Sequence, residues 1–287
     1  MAGHSQTEIK RRIRSVRNTQ HITRAMQIVS AVKLRRVQGL IDAVTPYAEK
    51  LEELLSAVVG VGQHPLLQER EIQRVRYVVI AMDHGLTGGY SANLTDWVTR
   101  VLRQEQRPFD LWVLGRKGAD LLQAHGIVPD TVYGEVGDDI DWPDVRQLAG
   151  RLRDSFLSGD VDAVNLLYMH FVNTMVHRPT LRRLLPAEIS QGPRSEEYTT
   201  IFEPSPLEVF NRLMPRYIDV LLYTVLLNAT CSEHGARMVA MRQATDNAEE
   251  MIETLTLGLN RARQAGITLE ISEIVGGANA LAEDAND

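Results

Sequence analysis

The sequence predicts a protein of the α/β class in which two long helices, one at each end of the chain, flank an α/β domain. Three observations support this prediction. Within the C-terminal region 205–287, residues 238–269 carry a sustained heptad pattern. Residues 1–60 carry helical apolar spacing with no proline before Pro46, and residues 74–191 alternate short apolar runs with helical stretches. Because both helices leave the same inserted domain, we expect them to pair antiparallel as a coiled coil.

The N-terminal region, residues 1–60, reads as one helix. Its apolar residues mostly follow steps of three and four, and the expected stripe includes Ile22, Val29 and Leu40. Polar residues such as Thr23 and Ser30 are expected to interrupt this stripe.

The middle region, residues 74–191, changes to a different pattern. Short β-branched apolar runs alternate with helices of ten to fifteen residues, which is typical of a parallel sheet with crossover helices. We expect strands at 75–82, 109–114, 127–133 and 161–171, an added edge strand within 179–191, and helices at 91–104 (capped by Ser91 or Asn93), 115–125 and 141–157.

The C-terminal region, residues 205–287, shows the most regular pattern of the chain. Its small or apolar residues recur at alternating steps of three and four, which places them on one narrow stripe of a helix. A stripe of two positions per heptad suits a helix lying against one partner helix. We expect a coiled-coil seam of Met238, Met241, Ala248, Ile252, Leu255, Leu259 and Ala262, with Thr245, Gly266 and Leu269 on the same stripe.

Charge is distributed unevenly in this chain of net charge −6. The segment 1–40 carries nine basic side chains and one acid, and the remainder is acidic. The basic segment is either a solvated face or a surface for a polyanion, meaning nucleic acid or an acidic protein. The single cysteine, Cys231, excludes an internal disulfide and is expected to be a buried structural thiol. No secretion signal and no apolar run of about 20 residues is present, so we expect a soluble chain.

The candidate chemical groups do not form a catalytic arrangement. The glycine-rich turn at 83–89 follows the first strand but lacks both the G-x-G-x-x-G pattern and a phosphate-binding lysine motif, which favours a tight turn or contact surface over a nucleotide site. His170 and His177 lack further ligands at metal-like spacing. The acidic cluster Asp138, Asp139 and Asp141 is either a solvated loop or a site for a hard cation. We therefore expect no metal, cofactor or catalytic residue.

Arg263 and Gln264 lie beside the heptad stripe, not in it. They are either ordinary surface residues or a polar latch, because arginine offers a fork for a carboxylate and glutamine both donates and accepts.

Motifs at both ends of the chain resemble the gamma subunit of F-type ATP synthases. The resemblance covers the full length in order and spacing, and its motifs are densest at the ends. They are IKRRIRSVRNTQHITRAM at 9–26, KLRR at 33–36, SEHGARMVAM at 232–241, ATDNA at 244–248, NRARQ at 260–264 and EISEIVGG at 270–277. The segment at 82–89 departs from the family pattern S-D-[KR]-G-L-C-G-G by Thr87 for cysteine and His84 for the basic residue, and Gly235 stands where alanine is common.

The resemblance implies an antiparallel coiled coil with a Rossmann-like α/β domain and a non-catalytic role as the central rotor shaft. It implies as partners the alpha and beta subunits of the catalytic head, the epsilon subunit and the membrane c-ring, and a peripheral position on the cytoplasmic side of the membrane. It also implies that Arg263 and Gln264 engage a loop of beta. A basic face of Met26, Lys33, Arg35 and Arg36 is expected to lie toward the ring of alpha and beta subunits. The alternative function is a nucleic-acid-binding protein that uses the basic first segment; a nucleotide-dependent enzyme is the third possibility.

Overall fold

The structure, a computed structural model, describes residues 2–58, 64–81, 85–134, 140–189 and 202–284, and the side chains of residues 6–276 within these ranges. The chain divides into two compact units. We call residues 1–28 with 240–287 the helix-pair unit, and residues 29–239 the α/β unit. The elements are α1 Ala2–Val58, a 3-10 helix Pro65–Leu67, β1 Val75–Ile80, α2 Tyr90–Gln104, β2 Phe109–Leu114, α3 Arg116–Ala124, β3 Thr131–Tyr133, α4 Trp142–Leu157, β4 Ala163–Phe171, β5 His177–Leu185 and α5 Pro206–Asp284.

The α/β unit is built on a five-stranded sheet with the order β3-β2-β1-β4-β5. β1 pairs in parallel with both β2 and β4, β2 pairs in parallel with β3, and β5 adds an antiparallel edge strand to β4. All six residues of β1 are buried, as expected for a central parallel strand covered on both faces. The second and third strands extend to one side of β1 and the fourth lies on its other side, so the direction of the sheet reverses between β1 and β4.

Two apolar clusters cover the two faces of this sheet. On one face, α2 and α3 contribute residues such as Leu94 and Leu122. On the other face, Phe156 of α4 packs in one cluster with Phe210 of α5 and Leu55 of α1, none of which is measurably exposed. Each such fully buried side chain stabilises the fold by roughly 1.5–3 kcal/mol.

Two local expectations for the α/β unit are wrong. α2 begins at Tyr90 with Gly89 as its N-cap, whose carbonyl accepts the first intrahelical bond from Asn93 N–H, so Ser91 and Asn93 lie inside the helix and do not cap it. β3 begins at Thr131 instead of residue 127, because Ile127 still belongs to the end of α3, where its backbone N–H donates to the Leu122 carbonyl at 3.0 Å.

The helix-pair unit consists of the start of α1 and the end of α5, which run antiparallel. The hydroxyl oxygens of Thr23 and Thr245 lie 2.7 Å apart, and the Gln6 amide donates to the Ala262 carbonyl at 3.3 Å. The step from Gln6 forward to Thr23 on α1 equals the step from Ala262 back to Thr245 on α5. The register is therefore the same at both contacts, and the predicted fold class is confirmed.

The inward-facing stripe of α1 differs from the expected one. Ile22, Val29 and Leu40 are 60%, 53% and 40% exposed, so the expectation that they belong to the stripe is wrong. The polar residues Thr23 and Ser30 are buried instead. A hydroxyl can be buried in a helix because it donates to its own backbone, as Thr23 does to the Gln20 carbonyl at 3.0 Å. In the helix-pair unit, the residues of α1 that are buried or half-buried are Gln6, Ile9, Ile13, Val16, Gln20, Thr23, Met26 and Gln27.

Candidate functional site

The α5 helix occupies the crevice at the carboxyl ends of β1 and β4. In open parallel sheets, this point of reversal is the usual place for a bound ligand. Here the Ser232 hydroxyl donates to the carbonyl of Met169, near the end of β4, at 2.8 Å. The Arg237 Nε donates to the carbonyl of Gly85, in the turn after β1, at 3.1 Å. The site where this fold usually binds a small molecule therefore holds a helix of the same chain.

Gly235 allows the helix to come this close to the sheet. A Cβ atom at this position would lie 3.1 Å from Cε1 of His177 and 3.2 Å from Cε2 of Phe171. Contacts at these distances require the neighbouring ring to move. A second glycine, Gly118 of α3, approaches the end of β1 in the same way, since a Cβ there would overlap the Cβ of Ala81.

We call this arrangement the socket: Ala229, Ser232, Gly235 and Arg237 of α5, seated on Gly85, Tyr90, Met169, Phe171 and His177. Tyr90 contributes its hydroxyl, which donates to the Ala229 carbonyl at 3.4 Å, and its ring, which meets the His177 ring edge-on at 6.0 Å. Burial raises the pKa of Tyr90, and the Glu233 carboxylate raises it further. Burial lowers the pKa of His177. Both side chains are thus held neutral at physiological pH.

An ion pair buried beside the socket connects successive turns of α5. Arg237 pairs with the Glu233 carboxylate one turn earlier, and its Nη1 lies 3.0 Å from Nδ1 of His234. Arg237 is 6% exposed and Glu233 is 1% exposed. Charge-assisted hydrogen bonds of this kind are stronger than neutral ones, and their low-dielectric surroundings strengthen them further. Removing one partner would leave the other charge buried without a counter-charge, which would destabilise the folded state.

The socket is held by hydrogen bonds, ring contacts and a buried ion pair. In the described parts of the chain, no group of three histidine, cysteine or acidic side chains could hold a metal. His177 is a half-buried histidine in an aromatic cluster with Phe171 and Tyr90. Cys231 is fully buried, as expected, and burial raises the pKa of its thiol to about 12. Asp141 is the N-cap residue of α4, without a side-chain capping bond, and Asp138 and Asp139 lie outside the described residues.

The predicted seam residues lie mostly in the helix-pair unit. Met241 and Ala248 are buried, whereas Ile252, Leu255, Leu259 and Ala262 are half-buried, and Met238 packs in the α/β unit against the cluster of Leu34, Val37, Leu227 and Cys231. Leu269 is 54% exposed, so its expected place on the stripe is wrong.

Arg263 and Gln264, the predicted latch, are exposed and follow Ala262 directly. The Gln6 amide donates a hydrogen bond to the carbonyl of Ala262, the residue just before Arg263. This bond restrains the backbone at that point, whereas the side chains of Arg263 and Gln264 face solvent. Their engagement of another protein stays a prediction.

The predicted basic face is divided in the structure. Met26 is half-buried in the helix-pair unit, whereas Lys33, Arg35 and Arg36 belong to the α/β unit. Lys33 and Arg36 line a cleft of about 310 Å³ that also contains Tyr223. Arg35 is exposed and does not line the cleft, because about 3.6 residues per turn place it on another side of α1.

Sequence reasoning missed the socket. The signal was a polar run inside an otherwise apolar helical stretch: Thr230, Ser232, Glu233 and His234 are at most 1% exposed. Charged residues at positions i and i+4 in such a stretch indicate a buried ion pair, but not what they contact.

The comparisons with known proteins agree with this architecture. Among the described residues, no helical stretch combines the length and the apolar character that a membrane span requires. A family model described as ATP synthase matches residues 5–281. The chain is 47% identical to the ATP synthase gamma chain of Moorella thermoacetica, over 96% of this chain and 98% of that one. It is 44% identical to that of Symbiobacterium thermophilum, over 95% and 97%.

Two solved structures share the fold. The rotor of the Euglena gracilis mitochondrial ATP synthase matches with a TM-score of 0.65 and 14% identity, covering 92% of this chain and 99% of that chain. The central stalk and c-ring structure of the Tetrahymena thermophila enzyme contains a chain that matches with a TM-score of 0.58 and 22% identity, covering 78% and 99%. Together with the identities to the curated relatives, the family match shows that this chain belongs to the ATP synthase gamma chain family.

Proposed function

We propose that this chain is the non-catalytic central rotor of an F-type ATP synthase, which couples rotation of the membrane c-ring to ATP synthesis or hydrolysis at the beta subunits. The observation that carries the proposal is the antiparallel helix pair, which keeps one register at two contacts several helical turns apart. Two helices packed against each other resist bending and twisting better than a single helix does. An element that transmits torque requires this stiffness. Its partners are the alpha and beta subunits, the epsilon subunit and the c-ring.

The exposed apolar residues of α5 support the proposal that other proteins surround this helix. Ile267, Ile271 and Ile274 are 50%, 55% and 71% exposed, and their steps of four and three residues place them on one face of α5 in the helix-pair unit. Exposed apolar side chains that recur along one helix indicate a protein contact surface. Nothing in the comparisons favours the nucleic-acid alternative. We place the chain at the cytoplasmic face of the membrane, held there by the epsilon subunit and the c-ring.

The experiment is reconstitution with the alpha and beta subunits of the same organism. A bead is attached through a cysteine introduced at exposed Asp120 of α3. We expect the bead to rotate in one direction when ATP is added, and the isolated chain to hydrolyse no ATP. A complex that assembles and hydrolyses ATP without turning the bead would exclude the rotor function.

Within this function we propose that Arg263 and Gln264 form the latch to a loop of beta. Both are exposed, and both sit off the seam on a backbone held by Gln6. The double variant Arg263→Ala with Gln264→Ala should therefore keep the melting temperature of the chain and reduce coupled ATP synthesis. Unchanged synthesis in that variant would remove the latch from the mechanism.

We also propose that the basic face of Met26, Lys33, Arg35 and Arg36 lies toward acidic segments of the alpha and beta ring. Arg35 offers the clearest test, because it is exposed and lies outside the cleft that Lys33 and Arg36 line. Arg35→Glu should slow rotation more strongly at low salt than at high salt, since screening weakens contacts between exposed charges. A salt-independent effect would contradict an electrostatic role.

A further inference from the structure

We infer that Ser232 and Arg237 are positioning residues that prevent α5 from bending at Gly235, which makes the socket the stiff joint through which torque passes between the sheet and α5. This inference rests on the proposed rotor function. All of its contacts lie within the α/β unit.

Gly235 is a point at which α5 can bend easily. Apart from proline, glycine favours the helix least of all residues, and sharp helix kinks are often found at glycine. The close approach to His177 and Phe171 leaves little room for a side chain here. The chain thus places a flexible residue at the position where a torque-bearing helix contacts the sheet.

Two clamps fix the helix on either side of this glycine. Before it in the chain, the Ser232 hydroxyl is bonded to the Met169 carbonyl of β4. After it, the Arg237 guanidinium is bonded to the Gly85 carbonyl in the turn after β1. The two bonds hold α5 to different parts of the sheet, one near the end of β4 and one in the turn after β1, so a bend or rotation of α5 about Gly235 would break at least one of them.

The ion pair of Glu233 with Arg237 adds a third restraint. It joins positions i and i+4, which places Gly235 between its two ends. The ion pair therefore stabilises the helical turn that contains Gly235. Ser232 is fully buried and Arg237 is 6% exposed, so water cannot readily replace these bonds during an opening motion.

The test measures the torsional stiffness of the rotor in the assembled complex with alpha and beta subunits. The bead is attached at Asp120→Cys, and labelling is selective because Cys231 is fully buried with a pKa of about 12. The angular variance of the bead is recorded while the rotor pauses. The double variant Ser232→Ala with Arg237→Met is compared with a matched control, Arg100→Met with Ser158→Ala, both exposed positions of the same unit.

We expect the socket variant to raise the angular variance above the wild-type value, because each lost hydrogen bond shifts the balance between docked and opened helix by roughly fivefold toward the opened helix. The control should leave the variance unchanged. Equal variance in the wild type and the socket variant would overturn the inference, provided that the wild-type bead rotates. A wild-type bead that does not rotate would instead overturn the rotor function itself.

The conservative variants keep the inference testable if the double variant does not fold. Ser232→Thr retains a hydroxyl, so its angular variance should equal that of the wild type. Arg237→Lys retains a positive charge for Glu233 but has a single nitrogen, so it cannot also bond to the Gly85 carbonyl as the guanidinium does. We expect its variance to rise while its melting temperature stays close to the wild type. A fall in melting temperature without a rise in variance would assign Arg237 to stability alone.

Discussion

The contact between Thr23 and Thr245, the hydroxyl pair, makes a prediction about how two substitutions combine. Each hydroxyl has one hydrogen, and each can donate to a carbonyl of its own helix, from Thr23 to Gln20 at 3.0 Å and from Thr245 to Met241 at 2.8 Å. One hydroxyl therefore donates along its helix while the other donates across the 2.7 Å contact. Thr23 is 8% exposed and Thr245 is 9% exposed, so water does not replace a missing partner.

Valine keeps the branched shape of threonine and removes only the polar group. Either single variant, Thr23→Val or Thr245→Val, loses the cross-helix bond and should lower the free energy of unfolding by about 1 kcal/mol. The double variant places two apolar groups opposite each other and should lie within about 0.5 kcal/mol of the wild type. The interaction between the two positions would then be roughly 2 kcal/mol.

The measurement is a double-mutant cycle by urea unfolding, with melting temperatures as a second reading. A change of about 1 kcal/mol corresponds to about 2–4 °C for a chain of this size class. The matched control is Thr256→Val, an exposed threonine of α5 whose hydroxyl donates to the Ile252 carbonyl in the same manner. We expect it to change stability by less than about 0.5 kcal/mol. Additive effects of the two seam substitutions would show that the hydroxyls do not interact and would refute the reasoning.

Three further predictions concern packing and pH. Ala248→Trp should destabilise the chain by about 1–3 kcal/mol, because Ala248 is only 7% exposed in the seam, and an unaltered melting temperature would contradict this. Gly118→Ala should lower the stability of the chain, because the new Cβ would overlap the Cβ of Ala81. Gly258→Ala has open space around it and should raise the stability by about 1 kcal/mol. Equal melting temperatures of these two variants would refute the contrast. Hydrogen bonds from Arg107 lower the pKa of Glu105 from 4.5 to about 2. Its contribution to stability is therefore present above the ordinary pKa of a glutamate and is lost as the pH falls toward 2, so Glu105→Gln should flatten the acid limb of the stability curve.

The extent of the regular elements could be predicted because it depends on local periodicity. β2 begins and ends where the apolar run does, and α5 extends through the heptad pattern. The inward face of α1 could not be predicted from apolar residues alone, since Thr23 and Ser30 fill positions that the pattern assigns to interruptions. Hydroxyls that bond to their own helix are as suitable for a narrow seam as small apolar groups, and hydropathy does not register this.

The sequence by itself determined the order of helices and strands, the heptad spacing of α5 and membership of the gamma chain family. Only the tertiary structure decided that α5 fills the crevice between β1 and β4 and that Gly235 lies between two clamps. The bonds that define the socket join residues 63 and 152 positions apart in the chain. Periodicity states which face of a helix turns inward, but the partner of that face is set only when distant segments meet in the folded chain.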